Sequence, residues 1–178
     1  MGAMHQLRAF ADPRICVVTG ASGTGKSTVG HALAARLSWP FMEGDDLHPR
    51  ENISKMRSGS PLTDADRAPW LGRVRNWIAG QLESGMPGII TCSALKRRYR
   101  DDLRAGLPGI SFVVLDADRN GLRQRLSERS GHFMPASLLE SQLADYERFG
   151  ADEPGITVPS HLGLGRQIDM IVATLRLR

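Results

Sequence analysis

The 178 residues are 41% hydrophobic, 24% charged and 6% aromatic, with 23 Lys and Arg against 19 Asp and Glu and a formal net charge of +4. That length fits one domain, which buries about 70% of its unfolded surface and needs neither disulfides nor a structural metal. Ordinary apolar content excludes collagen-like, mucin-like and disordered chains, and the 19 Gly and 10 Pro exclude a coiled coil.

Residues 1–13 read as a flexible lead-in with no apolar stretch of the secretory kind, and 14–178 as one domain. Arg14 to Thr19 is a short β-branched run ending at Gly20. A Gly-rich turn follows, then a helix from Lys26 to Leu37 with Val29, Leu33 and Leu37 on one face. Phe41-Met42-Glu43 predicts a second strand that runs into Asp45-Asp46, and a long helix places Trp70, Val74, Trp77 or Ile78, and Leu82 on one face. Ile89 to Cys92 is a third apolar strand, Lys96 to Ala105 a helix, and Ile110 to Leu115 the clearest strand. Leu122 to Arg129 and Ser137 to Phe149 read as helices, Ile156 to Val158 as a strand, and Leu162 to Leu177 as a closing helix. Apolar strands alternating with helices predict an α/β fold: a three-layer α/β/α with a parallel sheet of about five strands.

Gly20-Ala21-Ser22-Gly23-Thr24-Gly25-Lys26-Ser27 fits G-x-x-x-x-G-K-[ST] at every fixed position, with Thr28 next along the helix. The glycines let successive N–H groups turn inward as a nest for phosphate oxygens, and the helix aims its positive end at the same anion. Lys26 reaches the β- and γ-phosphates, and the Ser27 hydroxyl can ligate Mg²⁺. The strand before the loop and the helix after it are the context this chemistry requires, so the expected ligand is ATP with Mg²⁺. No guanine-reading Asn-Lys-x-Asp occurs, and the third strand ends without the Asp of a motor or transporter ATPase. Small-metabolite kinases hold magnesium with the loop hydroxyl and waters instead.

Asp45 and Asp46 follow the second strand, at the sheet edge that faces the crevice above the loop. A carboxylate there can take the proton of an attacking hydroxyl or hold a magnesium-bound water, while Asp46 can equally cap the next helix. The dense polar stretch from His48 to Trp70 offers cations for a carboxylate and amides for hydroxyls, an acceptor region over about 45–71. Arg125 and Arg129 lie four apart on one helical face, before a stretch with the Gly and Pro punctuation of a lid over about 125–140. There they can meet the transferring phosphoryl group, whereas Arg123 reads as solvated and His132 stays open between a lid-hinge contact and a loop residue. Trp70 and Trp77 read as core, and Arg97 and Arg98 as solvent-facing.

Gly44-Asp45-Asp46-Leu47-His48-Pro49, Asn52 to Met56, Gly59 to Asp64 and Asp66 to Leu71 resemble the signature block of gluconate kinases. So do Cys92 to Lys96 with Tyr99-Arg100-Asp101, and Gly131 to Pro135 followed by Ser141-Gln142. The resemblance runs from about Ile15 to Pro154 and implies a P-loop kinase related to shikimate and nucleoside-monophosphate kinases, usually a homodimer. It implies transfer of phosphate from ATP to the 6-hydroxyl of D-gluconate, giving 6-phospho-D-gluconate and ADP. By position it makes Asp45 the base, sets His48, Lys55, Arg67 and Arg100 near the sugar acid, and favours Arg129 for the phosphates. Asp46 stands where the family more often has an apolar or aromatic residue, so the base stays open between two carboxylates. Another sugar-acid or shikimate-like kinase, or a nucleotide-binding regulator that touches RNA, are the alternatives.

Basic clusters at Lys96 to Arg100 and Arg123 to Arg129 are mixed with carboxylates and form no single face, so no nucleic-acid partner is expected. No segment approaches the roughly 20 apolar residues of a membrane span. Cys16 and Cys92 each sit inside an apolar run and read as buried thiols, which suits the cytoplasm.

Overall fold

The computed structural model describes residues 14–116, 122 and 137–178. Five strands, β1 (Ile15–Thr19), β2 (Phe41–Met42), β3 (Gly88–Thr91), β4 (Ile110–Asp116) and β5 (Gly155–Pro159), form one sheet in the order β2-β3-β1-β4-β5. Every pairing is parallel. Among the described residues the helices are α1 (Lys26–Leu37), α2 (Arg50–Arg57), α3 (Asp64–Glu83), α4 (Arg97–Arg104), α5 (Ser137–Asp145) and α6 (Leu164–Leu175), with a 3₁₀ turn at Gly44–Leu47; the helix expected over Leu122 to Arg129 lies, but for Leu122, outside them.

Alternation along the strands builds the three layers. Ile15, Val17, Ile90, Phe112 and Val114 face one way, under Trp70, Val74 and Ile78 of α3 and Tyr99 and Leu103 of α4. Cys16, Val18, Ile89, Val113 and Leu115 face the other way, under Val29 and Leu33 of α1 and Ile168 and Ile171 of α6. Residues 15–18 of β1 are wholly buried, as a central parallel strand covered on both faces must be. The α/β/α expectation therefore holds.

Three local expectations are corrected. The helix foreseen to Phe149 ends at Asp145, because the chain beyond turns to give the Glu147 N–H to the Leu95 carbonyl at 2.9 Å. Asp46 caps no helix: it lies exposed in the 3₁₀ turn, and α2 starts after Pro49 without a side-chain cap. Glu43 falls outside β2 and accepts from the Thr91 hydroxyl. The start of α3 is set by a reciprocal capping box, the Thr63 hydroxyl accepting from the Asp66 N–H while the Asp66 carboxylate accepts from the Thr63 N–H.

All five strands run the same way, so their C-terminal ends share one edge. The loops leaving β1, β2 and β3 there are the phosphate loop, the 3₁₀ turn and the Ser93–Leu95 segment.

Candidate active site

The loop after β1 turns on glycines with positive φ: Gly23 at 84° and Gly25 at 96°. Gly25 is the N-cap of α1 and no side chain caps that helix, so its first-turn amides are left for an anion. Ala21, Ser22 and Thr24 are buried in the loop wall, while Ser27 and Thr28 lie exposed on the first turn of α1. The Lys26 ammonium folds back over the loop and donates to the Ala21 carbonyl at 3.1 Å.

A cleft opens beside it, lined by Ser22, Lys26, Asp45, His48, Met56, Leu62, Arg67, Trp70, Ser93 and Gln142, among others. Phosphate-loop residues and acceptor-region residues thus share one cavity. Of the two adjacent carboxylates, Asp45 lines the cleft and Asp46 faces solvent. Gly44 brings the turn close to β3: a Cβ there would stand 1.8 Å from the Thr91 carbonyl oxygen. The Gly44 N–H donates to the Thr91 hydroxyl at 3.0 Å, which ties Asp45 to the sheet edge.

Trp70 was expected as core alone. It is 1% exposed, yet it also walls the cleft, donating from Nε1 to the Gly44 carbonyl at 2.7 Å. Its indole stacks on His48 with ring centroids 4.2 Å apart and planes inclined by 14°. His48 is 7% exposed, and burial followed by the charges of Arg67 and Arg73 lowers its pKa to about 4, so the ring is neutral at physiological pH. Arg67 reaches the cleft from α3 and donates to Asp145 at 2.6 Å and to the Tyr99 hydroxyl at 3.3 Å.

Two predicted substrate residues lie elsewhere. Arg100 is 2% exposed and buried in a two-point pair with Glu153, at 2.6 and 2.9 Å, while its guanidinium also donates to the Ala94 and Leu95 carbonyls. It braces the loop behind the cleft. Lys55 gives its ammonium to Asp66 at 2.6 Å and is not among the cleft-lining residues. Arg97 and Arg98 are solvent-facing as expected, each paired with a carboxylate: Asp152 for Arg97 and Asp64 for Arg98. Arg123, Arg125, Arg129 and His132 lie outside the described residues.

Gln142 of α5 had no assigned role. Its Oε1 accepts from the Ser22 N–H at 2.7 Å, joining α5 to the phosphate loop across 120 residues. The Ser141-Gln142 pair stood in the resembling motif, the one signal in the sequence that marked it. Neither cysteine offers a reactive thiol: burial pushes Cys16 up to about 12 and raises Cys92 likewise. Among the described residues no cluster of three or more His, Cys, Asp or Glu could hold a metal ion.

The family described as an AAA domain matches residues 15–149. A gluconokinase of Gluconobacter oxydans is 53% identical over 154 residues, 86% of this chain and 86% of that protein. The thermosensitive gluconokinase of Escherichia coli is 46% identical over 140 residues, covering 79% of this chain and 75% of the relative. The crystal structure of a gluconokinase from Sinorhizobium meliloti superposes with a TM-score of 0.82 at 44% identity, over 93% of each chain. With a nucleotide loop and a polar acceptor cleft in one cavity, and relatives this similar over most of their length, the chain belongs to the gluconokinase family of P-loop kinases.

Proposed function

We propose that this protein phosphorylates the 6-hydroxyl of D-gluconate with ATP. The observation that carries the reading is the cleft in which Lys26 of the phosphate loop and Asp45, His48 and Arg67 of the acceptor region face the same space. Residues 20–28 cradle the phosphates through loop amides and the α1 N-terminus, with Lys26 on the transferring group. The Ser27 hydroxyl, an exposed hard oxygen on the first turn of α1, suits Mg²⁺ shared with nucleotide and waters. Bound there, Mg²⁺ would supply charge neutralisation on the phosphates.

Asp45 acts as the base. The 6-hydroxyl oxygen forms its bond to the γ-phosphorus as the bond to the ADP oxygen breaks, and the hydroxyl proton passes to the Asp45 carboxylate. Arg67 suits the substrate carboxylate, because its planar fork matches two oxygens and its place is fixed by Asp145 and Tyr99. Arg125 and Arg129, outside the described residues, complete the reading as the cations that the sequence offers to the phosphates.

A cytoplasmic setting is supported by two free, buried cysteines. Among the described residues no helix is long and apolar enough to cross a membrane. A homodimer follows the family resemblance, and light scattering checks it.

ADP release with Mg-ATP and, separately, D-gluconate, shikimate, glucose or no acceptor tests the function. Strong stimulation by gluconate alone is expected. Equal or no stimulation by all acceptors would leave the nucleotide site standing and remove the substrate assignment.

A further inference from the structure

Asn52 of α2 is 4% exposed and makes two contacts through one atom. Its Nδ2 donates to the Asp66 carbonyl at 2.8 Å and lies 3.2 Å from Nδ1 of His48. A carbonyl oxygen only accepts, so Asp66 settles which end of the Asn52 amide faces inward. The amide nitrogen has two hydrogens to give and no lone pair to offer, and the second hydrogen meets the imidazole. Nδ1 of His48 is therefore an acceptor, and the ring proton of the neutral imidazole sits on Nε2.

Nε2 faces Asp45, 4.0 Å from Oδ1. That gap is too long for a direct hydrogen bond, and it lets a single oxygen touch both groups at normal distances. The groups around the ring are Trp70, stacked on one face, Arg67 and Arg73 from α3, Asp45 from the 3₁₀ turn, and Lys26 across the cleft. Burial and then the two arginines disfavour a second proton, which keeps the ring in its neutral form.

We propose that Asn52 is a positioning residue that locks His48 as the Nε2–H tautomer, so that His48 presents one uncharged hydrogen-bond donor to an acceptor hydroxyl beside Asp45. The assignment of that hydroxyl to the substrate rests on the acceptor reading of the cleft; the tautomer does not. A hydroxyl has a proton for Asp45 and a lone pair for His48 and satisfies both. An ammonium has no lone pair and a C–H satisfies neither, so the pair selects for a hydroxyl at that place.

The test is long-range ¹H–¹⁵N correlation on histidine-labelled protein near neutral pH without acceptor, with His48 assigned from the signals lost in His48→Gln. The expected spectrum shows a pyrrole-type Nε2 and a pyridine-type Nδ1. A protonated Nδ1, or an average of the two tautomers, would overturn the proposal. In Asn52→Asp the new carboxylate accepts, so the proton should move to Nδ1. The gluconate KM should then rise about tenfold with the ATP KM little changed, the loss of one good hydrogen bond. Unchanged ring signals in that variant would equally overturn the proposal. If Asn52→Asp does not fold, the wild-type spectrum still decides. A wrong acceptor assignment leaves the spectrum intact and appears in the ADP-release assay instead.

Discussion

Arg67 Nη1 lies 2.6 Å from Oδ2 of Asp145, joining α3 to α5 across 78 residues of chain. Asp145 also takes the Lys96 ammonium at 3.1 Å, and Lys96 in turn reaches Asp64 at 3.0 Å. The cation that faces the cleft is thus held from behind by an anion that does not line it. Asp145→Asn keeps the shape and removes the charge, so Arg67 loses its orientation. The gluconate KM should rise several-fold with kcat much less affected, as steady-state kinetics at saturating ATP will read. Arg67→Lys should not restore binding, because a point charge replaces a planar fork.

Asp45→Asn removes the proposed proton acceptor while the phosphate loop stays intact. Turnover should fall by roughly 10²- to 10⁴-fold, with nucleotide affinity by calorimetry unchanged. Full activity in that variant would take Asp45 out of the mechanism. Lys26→Ala should lower kcat about a hundredfold or more, because it removes the cation proposed to meet the transferring phosphoryl group.

Arg100→Ala strands the Glu153 carboxylate, whose side chain is wholly buried, without its partner. Breaking such a pair costs about 3–5 kcal/mol, a fall in Tm on the order of 10 °C for a chain of this size. Denaturant unfolding should show the loss, and the folded variant should keep the gluconate KM of the parent. A specific rise in KM without loss of stability would return Arg100 to the substrate.

His48 should give stability an acid slope. Its pKa falls from 6.5 in the unfolded chain to about 4 in the folded one, so between these values the unfolded state binds more protons. Stability is unaffected by this group above about pH 6.5 and declines as pH drops toward 4, by on the order of 3 kcal/mol in all. Asp66, held down to about 2 by the Lys55 ammonium and by Thr63, adds its own loss only at lower pH. Denaturation midpoints across pH 4 to 7 should show the slope, and His48→Gln should flatten it.

The elements legible in the sequence are those whose causes are local. The phosphate loop declares itself because glycine spacing, Lys26 and the following amphipathic helix lie within one short stretch, and β1 and β4 because apolar runs leave no other reading. The burial of Arg100 is not legible, because its partner, Glu153, stands 53 residues away and nothing near Arg100 announces it. Position after the second strand favours Asp45 over its neighbour Asp46 in the sequence, and the 3₁₀ turn sets Asp45 toward the cleft and Asp46 toward water. Trp70 read as core by helical periodicity, which reports that a side chain is buried and not what lies against it. Asn52 and Gln142 stand in the resembling motifs, but what they and Asp145 brace shows only in contacts that the fold creates.

Trp70 holds the Gly44 carbonyl through its indole N–H and lies flat on His48, while Gly44 has no room for a side chain against Thr91. These positions therefore cannot drift independently over evolutionary time. A smaller ring at position 70 releases the turn and the imidazole together, so a change at His48 that is harmful alone becomes nearly silent once Trp70 is gone. The ancestry of the cleft should accordingly read as joint replacements at 44, 48 and 70, with single-step paths between them largely closed.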